Sequence, residues 1–402
     1  MSFWSQYWHV IAFYTILSLI IYLNRSKFEI EGKIVALLRT NTGLDWMNHY
    51  GEKHSTAIKR LGTVGIYVGF LGMIIILGFL GFGIWQLIFA PEAPPVLSPV
   101  LPGITIPGTG ITVPLFEGLL ALFIVIVVHE AAHGLVSAAY GIRVKSSGVG
   151  FMGPIPLAFV EPDDKKLEKA PTKAQLAVFA AGPWSNVLQA ILFFGLVLGL
   201  GLLIAPLTST EGISFQDVQA DSPAALAGLQ ANTTYQSIDD TELLSAQDLI
   251  NVLSNKEPGD AFSIRSEEEA VQGTLGAYEG TDNVCLGVSG IQSVRAEDDF
   301  RENTPWLAAI LAFIQTTLYW VFVLALGLGL ANLMPLGPVD GGRMILLPLQ
   351  NWLGEEKGTA VWSKTSIVIL AIVLILVFIP IIKLFWPSAP TEAIIGPACL
   401  PI

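Results

Sequence analysis

The sequence has little charge and little cysteine. Charged residues make up 13% of its 402 residues, about half the share that is usual in soluble globular proteins. This shortage argues against an ordinary soluble enzyme and against a disordered chain. The two cysteines, Cys285 and Cys399, are too few for a disulfide framework or a cysteine-rich zinc site. We interpret Cys285 as a small core residue and give little weight to a bridge between the two.

Positive charge is also scarce. The formal net charge is -12, which argues against nucleic acid as a partner. The acidity is concentrated in 206–303, which holds 18 acidic and four basic residues and so carries -14, leaving +2 for the rest of the chain. A solvated domain surface and a halophilic origin would both account for such acidity.

Long apolar runs are what the sequence has in abundance. Hydrophobic residues make up 52% of the chain, and six runs have about the length that a helix needs to cross a bilayer. They predict an α-helical polytopic membrane protein with about six transmembrane helices. The first run is expected to be a retained helix, because no basic residue precedes it and no cleavage site follows it. The runs are 7–23, 61–90, 115–140, 174–205, 305–334 and 366–386.

The basic residues predict the orientation of these helices. Seven lie in 24–61 and six in 141–173, whereas 91–114 and the tail after Trp386 have none. Because positively charged loops stay in the cytoplasm, both termini and the acidic segment 206–303 are predicted to be extracytoplasmic. We expect an integral protein of the lipid bilayer, in the plasma membrane of a prokaryote.

The third apolar run contains a metal-binding pattern, His129-Glu130-Ala131-Ala132-His133. Residues i and i+4 share one face of a helix, so the two imidazoles can bind one ion. Glu130 can then face the water that attacks a substrate. Neutral imidazoles suit zinc, and a catalytic zinc keeps one coordination position open. Ionisable residues inside membrane spans are costly and usually functional, which weighs against a structural pair of polar residues.

A tetrahedral site needs a further protein ligand, and Asp340 is the best placed carboxylate. It follows the fifth apolar run, where Pro335 and Pro338 interrupt the helix and Gly341-Gly342 allow close backbone approach. From its position alone, Asp340 is equally well explained as a turn residue at the membrane interface.

Together these motifs resemble the site-2 protease family of intramembrane zinc metalloproteases. The resemblance rests on H-E-x-x-H within one span and on Asn332-x-x-Pro-x-x-Pro-x-Asp340-Gly at the end of a later one. A third element is Ala181-Gly182-Pro183-Trp184-Ser185-Asn186, which lies between them. The resemblance covers about 115–345 and departs from the family in Gly337-Pro338-Val339, where the family often has Pro-x-Leu.

The resemblance implies a zinc endopeptidase with one ion per chain. It implies His129, His133 and Asp340 as the ligands and Glu130 as the catalytic base. It further implies that Asn186 and Asn332 position substrate or stabilise an oxyanion, although a helix–helix hydrogen bond would equally explain Asn186. The implied substrates are membrane proteins, cut within a transmembrane helix toward the cytoplasmic face during regulated intramembrane proteolysis.

The acidic segment 206–303 is predicted to form a small α+β domain. Its pattern is a helix between Pro223 and Gly228, a strand at 235–238, a helix at 245–253 and a strand at 261–265. Over about 212–290 this order resembles the circularly arranged PDZ domains of membrane-attached proteases. Such domains bind extended peptides at a sheet edge; a steric cap over the membrane core is the alternative role.

The predicted organisation places this insert between two halves of a protease core. The segment 147–160 resembles the family's membrane-associated hairpin, which could pair with a substrate strand, or it is an ordinary loop. The predicted divisions are N-terminal helices and loops in 1–114, core halves in 115–205 and 304–345, the PDZ-like domain in 206–303, and a final helix and tail in 346–402. The functional alternative is a non-enzymatic membrane scaffold that binds peptides and holds a structural metal, but an intact Glu130 argues against it. The oligomeric state is left open.

Overall fold

The fold is described from a computed structural model. It covers residues 3–31, 35–90, 95–106, 111–152, 155–204, 210–220, 222–267, 269–277, 284–295, 304–337 and 339–385. The chain forms two compact units. One comprises Met1–Leu198 and Phe313–Pro387, and the other is built on Gly199–Ala312.

Five helices in the described part of the chain are long and apolar enough to cross a membrane. The shorter helices are α1 (Phe3–Leu23), α2 (Leu44–Lys53), α5 (Asp164–Glu168) and α10 (Asp340–Leu353). The five long ones are α3 (Ser55–Phe89), α4 (Leu115–Ala139), α6 (Thr172–Ile204), α9 (Pro305–Asn332) and α11 (Glu355–Phe385).

The length and composition of these helices agree with the expected polytopic helical membrane protein. Five of the six expected spans coincide with them. The first apolar run forms a shorter apolar helix, Tyr7–Leu23, so the count of six spans stays a prediction. Helix α11 begins before the expected residue 366. Gly354 ends the preceding helix with a φ of 87°, and Glu355 and Glu356 then stabilise the first turn of α11,.

Small residues bring the helices of the first unit close together. A Cβ atom added to Gly65 would lie 3.0 Å from the Trp184 side chain on α6, and one added to Gly72 would lie 2.4 Å from Leu333. Such glycines let helix backbones approach closely in membrane proteins. Helix α3 therefore packs against both α6 and the segment that leads to Asp340.

A four-stranded antiparallel sheet completes the first unit. Its strands are β1 (Glu29–Glu31), β2 (Val35–Thr40), β3 (Val144–Met152) and β4 (Ile155–Pro162), in the order β1-β2-β3-β4. The hairpin expected in 147–160 is thus formed by β3 and β4; residues 153–154 between them lie outside the described residues. Strand β4 lies at the edge of this sheet.

The second unit is a β-rich domain with its own hydrophobic core. The core is centred on Phe215, Ile238, Leu249 and Phe262, all nearly inaccessible to solvent. The main sheet has the order β12-β5-β6-β8-β9, with β7 paired to β6, and β10 pairs with β11. The elements are β5 (Thr210–Val218), α7 (Pro223–Ala227), β6 (Thr234–Ile238), β7 (Thr241–Glu242), α8 (Ala246–Leu253), β8 (Ala261–Ser266), β9 (Ala270–Thr274), β10 (Gly276–Ala277), β11 (Val284–Cys285) and β12 (Val288–Arg295).

The helices and strands expected in this domain are present within two residues of their predicted ends. Ser222 caps α7, accepting a hydrogen bond from the backbone N–H of Ala225 at 3.2 Å, and Gly228 ends the helix in the left-handed conformation. Cys285 is buried, as expected of a core residue. It is also disulfide-bonded, contrary to the little weight that we gave to a bridge, and Cys399 lies outside the described residues.

Candidate functional site

Three potential metal ligands converge where α4 meets the first turn of α10. His129 and His133 lie one turn apart on α4, and their Nε2 atoms are 3.3 Å apart. Oδ2 of Asp340 lies 3.2 Å from Nε2 of His129 and 3.4 Å from Nε2 of His133. All three side chains are at least four-fifths buried, so an unneutralised carboxylate here would be costly.

The spacing of these atoms fits a zinc ion. Zinc bonds to nitrogen and oxygen are about 2.0–2.2 Å long, so ligand atoms at the corners of a tetrahedron are about 3.3–3.6 Å apart. The three separations of 3.2–3.4 Å are close to this spacing. Two imidazoles and one carboxylate would leave a fourth position open, as catalytic zinc sites require.

A hydrogen bond sets the tautomer of His133. Its Nδ1 lies 2.7 Å from the backbone carbonyl oxygen of Val178 on α6. Because a carbonyl oxygen only accepts, Nδ1 must donate, and Nε2 of the neutral ring then has a free electron pair for a metal. Nδ1 of His129 is buried and has no such partner among the described residues. Only one of the two rings is therefore oriented in this way.

Glu130 lies in the same cavity as the three ligands. Its Oε2 accepts a hydrogen bond from the backbone N–H of Val160 on β4, at 3.1 Å. The cavity has a volume of about 390 Å³. Its lining includes the three potential ligands, Asn332, and four residues of edge strand β4: Leu157, Ala158, Val160 and Pro162.

The two predicted asparagines lie in different places. Asn332, the last residue of α9, lines the cavity. Asn186 is fully buried and does not line it; its Oδ1 accepts a hydrogen bond from Gln189 on the same helix at 3.2 Å. Its Nδ2 has no acceptor among the described residues. The geometry therefore brings Asn332, rather than Asn186, to the potential ligands.

Asp340 is held differently from what the sequence suggested. We expected it on an irregular stretch, but it is the first residue of α10. A carboxylate is favoured at this end of a helix by the helix dipole. Pro335 lies between α9 and α10 as expected, and Pro338 lies outside the described residues.

Gly182 is a site residue that the sequence reasoning missed. It lies on α6 facing the imidazoles, and an added Cβ would be 2.3 Å from Nε2 of His133 and 2.4 Å from Nε2 of His129. No side chain fits there without displacing the rings or a bound ion. The signal was available in Ala181-Gly182-Pro183, but sequence alone does not show what this glycine faces.

Charged residues hold strand β4 on its sheet. Arg39 on β2 forms ion pairs with Glu161 on β4 and with Glu29 on β1. The hydrogen bond from Arg39 is the main cause that lowers the pKa of Glu161, against a smaller effect of burial. Lys145 likewise lowers the pKa of Asp163, just after β4. The strand that contacts Glu130 through Val160 is thereby fixed at the end next to this contact.

A sequence model of peptidase family M50 matches residues 117–376. This range includes both histidines, Glu130 and Asp340. The chain belongs to peptidase family M50. The expected relation to site-2 proteases is confirmed, and so is the assignment of this M50 chain as a zinc metalloprotease. A non-enzymatic scaffold is correspondingly disfavoured.

Individual relatives of the M50 chain come from archaea and bacteria. The Methanocaldococcus jannaschii protein MJ0971 is 27% identical over 333 residues, 81% of this chain and 81% of that protein. The zinc metalloprotease RasP of Oceanobacillus iheyensis is 24% identical over 49% of this chain and 56% of that protein. RasP of Shouchella clausii is 26% identical over 57% of this chain and 66% of that protein.

Among the solved structures that are similar to part of the chain is a PDZ domain. The PDZ domain of an SdrC-like protein from Listeria monocytogenes is 25% identical and covers 20% of this chain and 87% of that domain, with a TM-score of 0.18. The order of strands and helices in the second unit, rather than this overlap, supports a PDZ-like domain.

Proposed function

We propose that this M50 chain is an intramembrane endopeptidase that cleaves transmembrane segments of other membrane proteins in regulated proteolysis. The observation that carries the proposal is the tetrahedral spacing of His129, His133 and Asp340 in one cavity with Glu130. The histidines and Glu130 lie on an apolar helix of membrane-spanning length.

The proposed roles of the site residues follow from the chemistry of their side chains. A zinc ion held by His129, His133 and Asp340 would act as a Lewis acid toward the scissile carbonyl and the attacking water. Glu130 accepts a proton from that water and later donates one to the leaving amine. Its present hydrogen bond to Val160 keeps the carboxylate at the cavity wall. Asn332 is proposed to position substrate there. Asn186, whose Cβ would lie 3.1 Å from a Cβ added to Gly329 on α9, is proposed to support the helix that carries Asn332.

The proposed substrate is an extended stretch of an unwound transmembrane helix. A helical peptide bond is screened by its own backbone hydrogen bonds, so cleavage requires local unwinding. The freed backbone groups then need partners, because unsatisfied polar groups are costly in a bilayer. Edge strand β4 lines the cavity and has no further strand on its outer side among the described residues. Apart from the N–H of Val160, which Glu130 accepts, its outer backbone groups are proposed to bind the substrate by strand addition.

The orientation is proposed from charge and from cysteine chemistry. The basic segments 24–61 and 141–173 are placed in the cytoplasm, with the second unit and both termini outside the plasma membrane. The disulfide at Cys285 supports this, because disulfides persist mainly in oxidising compartments. Cleavage would then release a cytoplasmic fragment. The PDZ-like domain is proposed to select substrates outside the membrane, by peptide capture or by steric filtering.

The test measures zinc content and cleavage of a model single-span substrate on the same preparations. Glu130→Gln should retain zinc and lose at least about 100-fold in rate, because general acid–base catalysis contributes 10²–10⁴-fold. Glu117→Gln, on the same helix but far from the cavity, is the matched control. Near wild-type cleavage by Glu130→Gln would refute the proposed mechanism.

A further inference from the structure

The segment that carries Asp340 is hydrogen-bonded to helix α11 on both sides of this residue. Before Asp340, the backbone N–H of Gly337 donates to Oγ of Ser366 at 3.1 Å. After it, Nε1 of Trp362 donates to the backbone carbonyl oxygen of Gly342 at 2.8 Å. Trp362 and Ser366 are four residues apart, so they lie on one face of α11.

Helices α10 and α11 form a tight hairpin that directs this face toward Asp340. The turn is at Gly354, whose positive φ of 87° favours glycine,. Gly358 allows close approach, since an added Cβ would be 2.6 Å from backbone atoms of Gln350. The Gln350 side chain also donates to Oγ1 of Thr359 at 3.0 Å.

The segment between α9 and α10 has few regular hydrogen bonds of its own. Its backbone bonds are short-range turns, such as Leu336 N–H to Met334 and Val339 N–H to Leu336. Asp340 itself is the first residue of α10, so the turns before it leave this helix end less firmly held than a helix interior. A metal ligand, however, must be held within about 0.5 Å of its productive position.

The indole N–H of Trp362 and the hydroxyl of Ser366 are unusual polar groups for a membrane helix. Ser366 is 9% exposed, and a buried hydroxyl is unfavourable unless it is hydrogen-bonded. Its partner is the peptide group three residues before Asp340, and that of Trp362 is two residues after it. We infer that Trp362 and Ser366 are positioning residues that fix Asp340 for metal coordination. This inference rests on the proposed function.

The experiment uses the purified full-length chain and measures its zinc affinity by competition with a chelator. Trp362→Phe and Ser366→Ala each remove one hydrogen bond and little volume. Each should weaken zinc binding about tenfold, the lower end of what outer-shell changes cause. Controls are Trp352→Phe, whose side chain is 84% exposed, and Ser363→Ala, also exposed on α11. Both control variants should keep a zinc affinity within about twofold of wild type, because neither removes an outer-shell hydrogen bond of the site.

A second comparison separates positioning from a general effect on stability. In an Asp340→Ala background, Trp362→Phe and Ser366→Ala should cause no further loss of zinc affinity, because they act through Asp340. A tenfold loss in that background would overturn the inference, and so would wild-type affinity of both single variants. If wild type itself binds no zinc, or Asp340→Ala binds as wild type does, the proposed function fails as well.

Discussion

Among the three proposed ligands, Asp340 differs from the two imidazoles because it alone would bring charge to the metal. Two neutral rings leave the double charge of zinc uncompensated in a buried site, and a carboxylate offsets part of it. Asp340→Ala should lower zinc affinity by more than about 100-fold, beyond the usual effect of outer-shell changes. Asp340→Asn should fold but lose most activity.

The control for Asp340 lies in the same cavity. Asp164 also lines the cavity, but its carboxylate does not belong to the cluster formed by His129, His133 and Asp340. Asp164→Asn should therefore keep zinc. Zinc affinity and cleavage are measured together for all three variants. Normal binding and cleavage by Asp340→Ala would mean that another oxygen ligand exists.

Gly182 gives an independent residue-scale prediction about the shape of the site. Gly182→Ala puts a methyl group into the space between the two imidazole nitrogens, so zinc content should fall to a small fraction of wild type. Gly195→Ala, on the same helix with no atom within 4 Å of the new Cβ, should keep its zinc. It should also be stabilised slightly, since alanine favours helices. A stoichiometric zinc content in Gly182→Ala would contradict this geometry.

The site residues could be predicted only where the interacting side chains are close together in the sequence. H-E-x-x-H fixes its own geometry, because one helical turn separates the two imidazoles. Asp340 required a family resemblance, since nothing near it in sequence identifies its partners. The contact of Gly182 with both rings, and of Val178 with His133, depends on how α6 packs on α4, which no local pattern encodes.

At the scale of elements, the charged pair across the sheet makes stability depend on pH. The folded-state pKa of Glu161 is lowered by Arg39, so the pair stabilises the fold above the ordinary glutamate pKa of about 4.3. This contribution disappears as the pH falls through the lowered value. Arg39→Gln should therefore lower the melting temperature at pH 7 and have a smaller effect near pH 3.

The control for the sheet is Arg143→Gln, an exposed arginine that forms no ion pair within the described part of the chain. It should leave the melting temperature nearly unchanged at both pH values. Thermal unfolding in detergent gives the comparison. An equal loss for Arg39→Gln at pH 3 and pH 7 would show that Arg39 acts through packing on Phe159 rather than through charge.

Element-scale prediction was good for helices and poor for the sheet. The capping residues of α7 and the helical periodicity of α8 are local features of the sequence, so both helices could be predicted. The pairing of β2 with β3 joins residues about a hundred positions apart, and strand pairing at such separation has no local signal. The α10–α11 hairpin is local, but α11 begins eleven residues before the apolar run, in the polar turn Glu355-Glu356-Lys357, and hydrophobicity alone did not predict this start.

The whole molecule has an orientation that can be tested by labelling. A thiol introduced by Glu267→Cys, at an exposed position of the second unit, should react with an impermeant reagent in intact cells. Lys165→Cys, exposed in the basic segment after β4, should react only after permeabilisation. The parent chain, whose Cys285 is disulfide-bonded, is the blank. The reverse pattern would invert the topology.

Metal binding should not depend on the second unit. Its core is formed by its own residues, and no proposed ligand lies in 206–303. Replacing 206–303 by a short flexible linker should leave zinc affinity unchanged. If the domain filters substrates by size, the shortened protein should also cleave substrates with large extracytoplasmic domains. Loss of zinc would show that the domain supports the membrane core.

The long separation of His133 from Asp340 sets an order of events during biosynthesis. The imidazole pair is made first, then the entire second unit, and only afterwards the carboxylate and the helix that holds it. The entropic cost of closing this loop grows only slowly with its length, so the order of synthesis, rather than the loop, sets the delay. A nascent chain is therefore expected to be harmless to neighbouring membrane proteins until α11 has been inserted, so synthesis itself acts as a delay before proteolysis can begin.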